Sequence, residues 1–434
     1  MRTNELILYR YMEHEDLLRD MTFLIDNADN DYYNKEDLKS LLFENLNELI
    51  ELAANYGFEG NLWHTFLTFL LANSENAYST ACEVVGEVEG SVNKAALHDF
   101  KIFKELFEYD LKEMGEKLGT DSLELIEDYH PVNAKGHVFN KRIRDRICDL
   151  SKALAQTDDA EEFKTTVTQF YKEFGVGTFG LHKAFRIEHT EEGAQIVPIT
   201  KIAHVHLDDL VGYDIAKKKL IDNTEAFVKG KKANNCLLFG DAGTGKSSSI
   251  KAILNQYYDQ GLRMIEVYKH QFKDLSTIIA QIKNRNYKFI IYMDDLSFEE
   301  FEIEYKFLKA VIEGGVETKP DNVLIYATSN RRHLIKETWK DREDMEHSED
   351  LHRSDTMEEK LSLVNRFGLS IFYAKPDKEG FNEMAVALAR RAGITPEVMT
   401  DEEICYEANR FEMRGGGLSG RTAQQFANYL LTIK

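Results

Sequence analysis

The fold of the second half of this chain is decided by the stretch Asn235-Cys-Leu-Leu-Phe-Gly-Asp-Ala-Gly-Thr-Gly-Lys-Ser-Ser-Ser-Ile250. Its apolar run 236–239 predicts a buried strand, its glycine-rich run 240–245 predicts a turn, and the next residues open a helix. Glycines let backbone N–H groups surround phosphate oxygens without a Cβ clash, and a helix N-terminus adds partial positive charge. The stretch therefore predicts a nucleoside triphosphate site formed by Gly240, Asp241, Ala242, Gly243, Thr244, Gly245, Lys246, Ser247 and Ser248.

A second motif supplies the carboxylates that such a site needs. The run Phe289-Ile-Ile-Tyr-Met-Asp294-Asp295 predicts a buried strand ending in two acids. In a shared sheet, Lys246 would reach the β- and γ-phosphates, while Ser247 and Asp294 would hold Mg²⁺. Asp295 would orient or deprotonate the attacking water. The alternative is that both acids cap the helix expected after them.

Four further polar residues lie at the ends of predicted strands and helices. The apolar run 323–327 leads to Ser329 and Asn330. If this strand lies between the two strands above, either residue can hold the attacking water, although a simple turn is the competing interpretation. Arg366 precedes the last predicted strand, and Arg421 opens a C-terminal helix. Phosphoryl transfer needs added positive charge, but lone arginines are more often solvated or paired with acids.

Composition is that of a soluble globular protein with two to three domains. The 434 residues are 43% hydrophobic and 30% charged. No run of 18 uncharged apolar residues predicts a membrane-spanning helix, and the first residues lack the apolar core of a signal peptide. The four cysteines are scattered without a C-x-x-C pair, which argues against a zinc site or a disulfide framework. We therefore expect a cytoplasmic protein.

The negative charge is concentrated in the first half of the chain. Residues 1–200 contain 20 basic and 38 acidic residues, a net charge of −18, whereas residues 201–434 contain 34 and 37, a net charge of −3. An acidic surface repels phosphate backbones, so nucleic-acid binding through this half is not expected. The acidity favours a protein partner, with simple solubility as an equally open alternative.

The hydrophobic pattern changes near residue 200. Residues 1–175 show helical periodicity, with the apolar run 62–71 as a central helix, and predict an all-α domain. Residues 176–206 predict a linker with a β-hairpin. Residues 207–376 alternate strands and helices and predict an α/β core, a parallel P-loop sheet with helices on both faces. Residues 377–434 predict a small helical subdomain, here called the lid.

In their order along the chain, the motifs resemble an AAA+ ATPase module. The residues that carry the resemblance are Asp208-Asp-Leu-Val-Gly-Tyr213, the run 240–247, Asp294-Asp295, Asn330, Arg366 and Gly420-Arg421. The stretches Ala327-Thr-Ser-Asn-Arg-Arg-His-Leu334 and Glu359-Lys-Leu-Ser-Leu-Val-Asn-Arg-Phe-Gly368 look more specifically like a bacterial family of predicted AAA+ ATP-binding proteins of unknown function. The resemblance covers about residues 178–434.

The resemblance implies a role for each matching residue. Leu210, Val211 and Gly212 match the segment that lines the adenine pocket, Lys246 and Ser247 are Walker A residues, and Asp294 is the Mg²⁺ acid. Asn330 matches sensor 1, Arg366 an arginine finger acting in a neighbouring subunit, and Arg421 sensor 2. Asp295 stands where most AAA+ proteins have the longer glutamate, so Glu299 or Glu300 can assist. Arg331 and Arg332 are alternative fingers.

The resemblance implies a homo-oligomeric ATPase that uses ATP and Mg²⁺. We expect it to remodel or switch a protein partner through its acidic helical domain. One alternative is a nucleotide-gated binding module with negligible turnover, and another is a DNA-associated loader, against which the acidic first half argues. Unfoldases of this superfamily carry an aromatic-hydrophobic-glycine loop after the second strand. Here Tyr268 is followed by no glycine, so polypeptide threading is not favoured. The charged insertion 336–359 is expected to form a mobile loop or a helix on the surface, with a role as an interaction element as a further option.

Overall fold

The computed structural model describes residues 2–131, 140–191, 193–200, 202–298, 302–313, 320–330, 334, 363–415 and 417–432. The chain forms two compact units, Met1–His182 and Lys183–Lys434, which we call unit 1 and unit 2. Among the described residues, no helix combines the length and the apolar character needed to cross a membrane.

Unit 1 is built from helices. They are α1 (Glu15–Asn27), α2 (Lys35–Tyr56), α3 (Leu62–Asn73), α4 (Ala77–Val85), α5 (Val92–Glu108), α6 (Leu111–Leu118), α7 (Lys141–Ala155), α8 (Ala160–Phe174) and α9 (Gly177–Leu181). Asparagine or aspartate side chains cap the N-termini of several of them, as Asn34 does for α2 and Asp159 for α8. Helix α3 is buried on all sides, including Trp63 and Phe66, which confirms the expected central helix.

A buried carboxylate fixes the N-terminal segment of unit 1. Asp99 on α5 is fully buried and accepts backbone N–H groups from Ile7, Leu8 and Tyr9 at 2.7–3.1 Å. The Tyr9 hydroxyl is 2.8 Å from that of Tyr171. Every polar group in this arrangement finds its partner inside the protein, as a buried charge requires. Its role is therefore structural.

Unit 2 contains a seven-stranded sheet in the order β2-β1-β4-β5-β6-β3-β7. The strands are β1 (Ala184–Thr190), β2 (Gly193–Pro198), β3 (Cys236–Gly240), β4 (Leu262–Glu266), β5 (Lys288–Met293), β6 (Val323–Ser329) and β7 (Leu369–Tyr373). All neighbours are parallel except β1 and β2. The central strands are almost fully buried, which explains their unbroken apolar runs. Strand β6 lies between β3 and β5, as the site prediction requires.

Five of the described helices of unit 2 contribute to two hydrophobic cores. In chain order they are α10 (Asp214–Val228), α11 (Lys246–Tyr257), α12 (Leu275–Ile282), α13 (Glu304–Glu313), α14 (Lys378–Arg391), α15 (Asp401–Glu412) and α16 (Gly420–Thr432). Helices α10 and α11 share one apolar core with a face of the sheet. Helices α14 to α16 form a separate core around Phe381 and Phe426. The lid therefore has its own hydrophobic core within unit 2.

The segment 176–206 differs from the expected linker. Its hairpin is part of the sheet, because β1 pairs in parallel with β4, with Ala184 opposite Met264. Phe185 and Ile187 are buried there, and their burial together with the open edge of β4 explains the pairing. Pro198 ends the outermost strand, an edge position in which the missing backbone N–H of proline is tolerated. Gln281 on α12 donates to the Ala194 carbonyl at 3.1 Å and so covers part of that edge.

Candidate functional site

The glycine-rich turn after β3 requires glycine at both of its ends. Gly240 has φ +138°, and a Cβ atom built on it would lie 2.1 Å from the Tyr373 carbonyl oxygen of β7. Gly245 adopts the left-handed conformation with φ +86° at the N-cap of α11. Any larger residue at position 240 would push β3 and β7 apart. The local sequence therefore folds into the strand, turn and helix that the motif predicts.

The Lys246 ammonium lies at the centre of this turn. Its side chain donates to the carbonyls of Gly240 and Asp241 at 2.9 and 2.6 Å and to Asn330 Oδ1 at 3.1 Å. Burial lowers the pKa of Lys246, and the nearby Arg421 acts in the same direction, while Asp241, Asp295 and Asp294 oppose the shift. Three surrounding carboxylates favour the charged form that binds phosphate.

Ser247 and Asp294 meet at the carboxyl end of the sheet. The Ser247 hydroxyl donates to Asp294 Oδ1 at 2.7 Å, and the Thr328 hydroxyl donates to the same oxygen at 2.6 Å. Burial by itself raises the pKa of Asp294, but the hydrogen bonds from Thr328 and Ser247 outweigh it, so the pKa lies below its ordinary value. The carboxylate is thus held in its charged form.

Asp295 has an unusual backbone conformation. Its φ is +49°, which is rare for a residue other than glycine and typical of functional sites. The Asp295 N–H donates to Thr328 Oγ1 at 2.9 Å, and Asp295 Oδ1 accepts from Asn330 Nδ2 at 2.7 Å. Among the described residues, the hydrogen-bond partners of both acids lie on α11, on β6 or just beyond β6. Helix α13 begins only at Glu304. This geometry does not support the helix-cap alternative.

Thr328 is the site residue that the motifs missed. It is 2% exposed, and its hydroxyl contacts Asp294 and the Asp295 backbone together. Its position becomes visible only when β5 and β6 are neighbours, with Met293 opposite Ala327. The only sign of this role in the sequence is that the next-to-last residue of the strand carries a hydroxyl group.

A cavity of about 680 Å³ lies where these groups meet. Its volume is in the range of small-ligand pockets. The residues expected at the site that line it are Leu210, Val211, Ala242, Gly243, Thr244, Gly245, Lys246, Ser247, Ser248, Asp294, Asp295, Asn330 and Arg421. Gly212, Gly240 and Asp241 adjoin it in the chain without lining it. Tyr213, the last residue of the matching segment 208–213, lines the cavity too. Met384 and Leu388 also line it, and no motif points to these two residues.

The lid contributes Arg421 to this cavity. The Arg421 N–H donates to the Gly243 carbonyl at 3.1 Å, so the N-terminus of α16 rests directly on the phosphate-binding turn. A Cβ atom on Gly243 would lie 3.1 Å from Arg421 Cβ and from Ser419 Oγ. The absence of a side chain at Gly243 therefore permits this close approach.

Arg366 lies apart from the other predicted residues. Its guanidinium forms an ion pair with Glu313 at the end of α13, and it does not line the cavity. The alternative fingers Arg331 and Arg332, the possible assisting residues Glu299 and Glu300, and the insertion 336–359 lie outside the described residues. Of the predicted site residues that the structure describes, Arg366 lies apart from the cavity, and Ser329, the alternative to Asn330, is fully buried in β6 and does not line it.

The oxygen donors at the site fit a magnesium ion. Mg²⁺ prefers hard oxygen ligands and is usually bound by one or two protein groups plus phosphate oxygens and water. Ser247 Oγ and Asp294 Oδ1 supply such oxygens 2.7 Å apart. Among the described residues, no group of three or more His, Cys, Asp or Glu side chains is arranged to hold a metal ion. Phosphate and water therefore have to complete any coordination here.

Residues 180–433, more than half of the chain, match the family described as Protein of unknown function (DUF815). The chain belongs to this family. A segment of 76 residues of the chain is 37% identical to the replication factor C large subunit of Staphylothermus marinus, and covers 17% of each protein. The motif order, the strand order and this segment together confirm the AAA+ P-loop identification of unit 2.

Solved structures of Thermotoga maritima RuvB variants also match this DUF815 member. Two of them share 16% identity with it over 52% of the chain, with TM-scores of 0.36 and 0.37. The match covers 65% and 66% of those chains. The chain therefore spans less than two thirds of these structures and about a sixth of the replication factor C relative.

Proposed function

We propose that unit 2 binds Mg·ATP and hydrolyses it to ADP and phosphate. The proposal depends on one observation: residues from four separate motifs line a single cavity, with Ser247 Oγ 2.7 Å from Asp294 Oδ1. A chance motif would not bring the turn after β3, the end of β5, the end of β6 and the lid to one place.

Each group has a role in this proposal. The backbone N–H groups of the turn and the Lys246 ammonium hold the phosphates, and Ser247 and Asp294 hold the metal. Bound magnesium supplies positive charge that stabilises the transferring phosphoryl group. Arg421, at the N-terminus of α16, adds a further positive charge from the lid. Leu210 and Val211 form the adenine side of the pocket, and Gly212 adjoins them in the chain.

Asp295 and Asn330 are the proposed water-positioning pair. Asn330 contacts both Lys246 and Asp295, so its amide connects the phosphate-binding lysine to the proposed base. A carboxylate in this position accepts a proton from the attacking water, and the amide helps to orient that water. The strained backbone of Asp295 is held by Thr328, which keeps the carboxylate in one orientation.

Arg366 is proposed to complete the site of a neighbouring copy in a homo-oligomer. Its separation from the cavity of its own chain supports this role. In such a site an arginine from a second subunit stabilises charge on the γ-phosphate. Its ion pair with Glu313 orients the guanidinium before assembly.

The proposed output is remodelling or switching of a protein partner through the acidic unit 1. A second candidate function is a nucleotide-gated switch with very slow turnover. Asp295 favours it, because aspartate is one methylene shorter than the glutamate usual at this position in AAA+ proteins, and its carboxylate is already bonded to Asn330. A cytoplasmic location stays a prediction.

Phosphate release by the purified full chain tests the proposal. We expect ATP-dependent release that disappears in Lys246→Ala, falls in Asp295→Asn and is retained in the control Lys232→Ala, which changes an exposed lysine. Release that is equal in Lys246→Ala and wild type would contradict ATP hydrolysis at this site. Tight ATP binding without release over hours would select the switch.

The neighbouring-subunit role of Arg366 is tested separately. We expect the specific activity to rise with protein concentration and Arg366→Ala to remove that rise. Activity that is proportional to protein concentration and unchanged in Arg366→Ala would contradict the role.

A further inference from the structure

The chain segment 208–213, which we call the base-pocket segment, lies between two hydrophobic cores of unit 2. Leu210 packs against the core shared by α10, α11 and the sheet, and Val211 packs against the core of the lid. Tyr213 packs against both and has a positive φ of +59°. The position of this segment therefore depends on how the lid and the sheet are held together.

Cationic side chains from two different helices hold three successive carbonyl oxygens of this segment. Arg391, at the end of α14 in the lid, donates Nη1 to the Asp209 carbonyl at 2.8 Å and Nη2 to the Asp208 carbonyl at 2.5 Å. Lys217 on α10 donates Nζ to the Leu210 carbonyl at 2.7 Å. Hydrogen bonds from charged donors are stronger than neutral ones, and the planar guanidinium fork suits two adjacent acceptors.

Helix α14 also forms a wall of the cavity. Met384 and Leu388 line it together with Leu210 and Val211. Gly212 has φ +79°, and a Cβ atom on it would be 2.9 Å from Met384 Cε. The same helix thus carries both the apolar wall and, at its end, the arginine that holds the base-pocket segment. Arg391 itself does not line the cavity.

We propose that Arg391 is a positioning residue for the nucleobase. By binding the two carbonyls it fixes the gap between α14 and the base-pocket segment, so that the apolar side chains of both contact the faces of the base. The proposal rests on the proposed binding of ATP. Arg391 donates its hydrogen bonds to the carbonyls of Asp208 and Asp209 and, among the described residues, to none of the phosphate-binding turn. Its effect is therefore restricted to ligands that carry a base.

The test compares ATP with inorganic triphosphate, which has the phosphates and lacks the base. Calorimetric titrations of both ligands, each with Mg²⁺, are made on full-length wild type, Arg391→Ala, Arg391→Lys and Arg410→Ala. Arg410 is a matched control, since it is an exposed lid arginine that pairs with Glu407 in its own helix. We expect ATP to bind about tenfold more weakly to Arg391→Ala, and triphosphate to bind within about twofold of wild type.

Arg391→Lys keeps the charge and loses the fork, so an intermediate loss for ATP alone supports positioning through the two carbonyls. Arg410→Ala is expected to match wild type with both ligands. Equal losses for ATP and triphosphate, or no loss for either, overturn the proposal while leaving ATP binding intact. If wild type binds triphosphate but shows no preference for ATP over it, base positioning is overturned. If wild type binds neither ligand, the proposed function fails as well.

Discussion

Asp99 in unit 1 and Asp294 in unit 2 are both aspartates held by several hydrogen bonds, yet their surroundings are opposite. Asp99 is fully buried, and its partners are backbone N–H groups of one continuous segment. Asp294 borders a cavity, and its partners are the hydroxyls of Ser247 and Thr328 from two different elements. The hydrogen bonds to Asp99 satisfy its charge completely, whereas the carboxylate of Asp294 stays accessible to a ligand.

The difference shows that acid content alone does not identify a site. Unit 1 carries most of the negative charge. Its buried carboxylate Asp99, which accepts three backbone N–H groups, nevertheless stabilises the fold. Unit 2 is nearly neutral over residues 201–434, and its acids meet a lysine and an arginine at one cavity. Function is indicated by convergence of groups from separate elements at a surface opening.

The largest expected effect comes from Asp294→Asn. We expect at least a ~100-fold loss of ATP hydrolysis, because the variant loses the charge that holds the metal. The free energy of unfolding should change by less than about 1 kcal/mol, since the side chain borders the open cavity. Phosphate release and denaturant unfolding measure the two quantities. Asp222→Asn is the matched control. Full activity in Asp294→Asn would contradict the functional role assigned to Asp294.

Asp99→Asn is expected to have the reverse profile. Loss of the charge that accepts three backbone N–H groups should destabilise unit 1 by about 2 kcal/mol. ATP hydrolysis per folded molecule should stay at the wild-type level. Hydrogen exchange of the N-terminal segment together with denaturant unfolding measures the change, with the exposed Asp128→Asn as control. An unchanged unfolding curve would contradict the structural role assigned to Asp99.

The Thr328 hydroxyl tests whether the two acids of unit 2 have to be held in position for activity. Thr328→Val keeps the side-chain shape and removes the hydroxyl that contacts both acids, so we expect about a tenfold fall in kcat with a smaller change in KM. Thr328→Ser keeps the hydroxyl and should retain most of the activity. The contrary finding would be a valine variant as active as the serine variant.

The smallest expected effect is a pH dependence in unit 1. His64 Nε2 lies 2.8 Å from the Phe107 carbonyl. Burial lowers the pKa of His64, and the nearby Lys104 acts in the same direction, while the bond to Phe107 opposes the shift. The unfolded chain therefore takes up the proton first, and stability falls as the pH drops below about 6.5. Thermal unfolding at pH 7.5 and 5.5 should show a smaller acid loss in His64→Gln than in the exposed control His130→Gln. Equal losses in the two variants would contradict this.

The sequence predicts the parts of unit 2 that depend on local pattern. The turn at 240–245, the strand ending at Asp294 and the strand leading to Asn330 appear where the motifs place them, because short-range glycine and apolar patterns specify them. The sequence places the hairpin of β1 and β2 in a linker, since pairing with β4 depends on residues eighty positions away. Thr328 and Arg391 were missed for the same reason, because their partners are distant in sequence. Arg366 stays a prediction, since its proposed partner is another copy.

The central claim is that the turn at 240–247 holds a triphosphate whose metal is bound by Ser247 and Asp294. A crystal structure of the full chain with Mn²⁺ and a non-hydrolysable ATP analogue tests it most directly, because the anomalous signal locates the metal. The account predicts a metal peak about 2.2 Å from Ser247 Oγ and bound to Asp294 directly or through one water, with the phosphates against the turn. A nucleotide bound elsewhere, or a metal peak distant from both side chains, would contradict it.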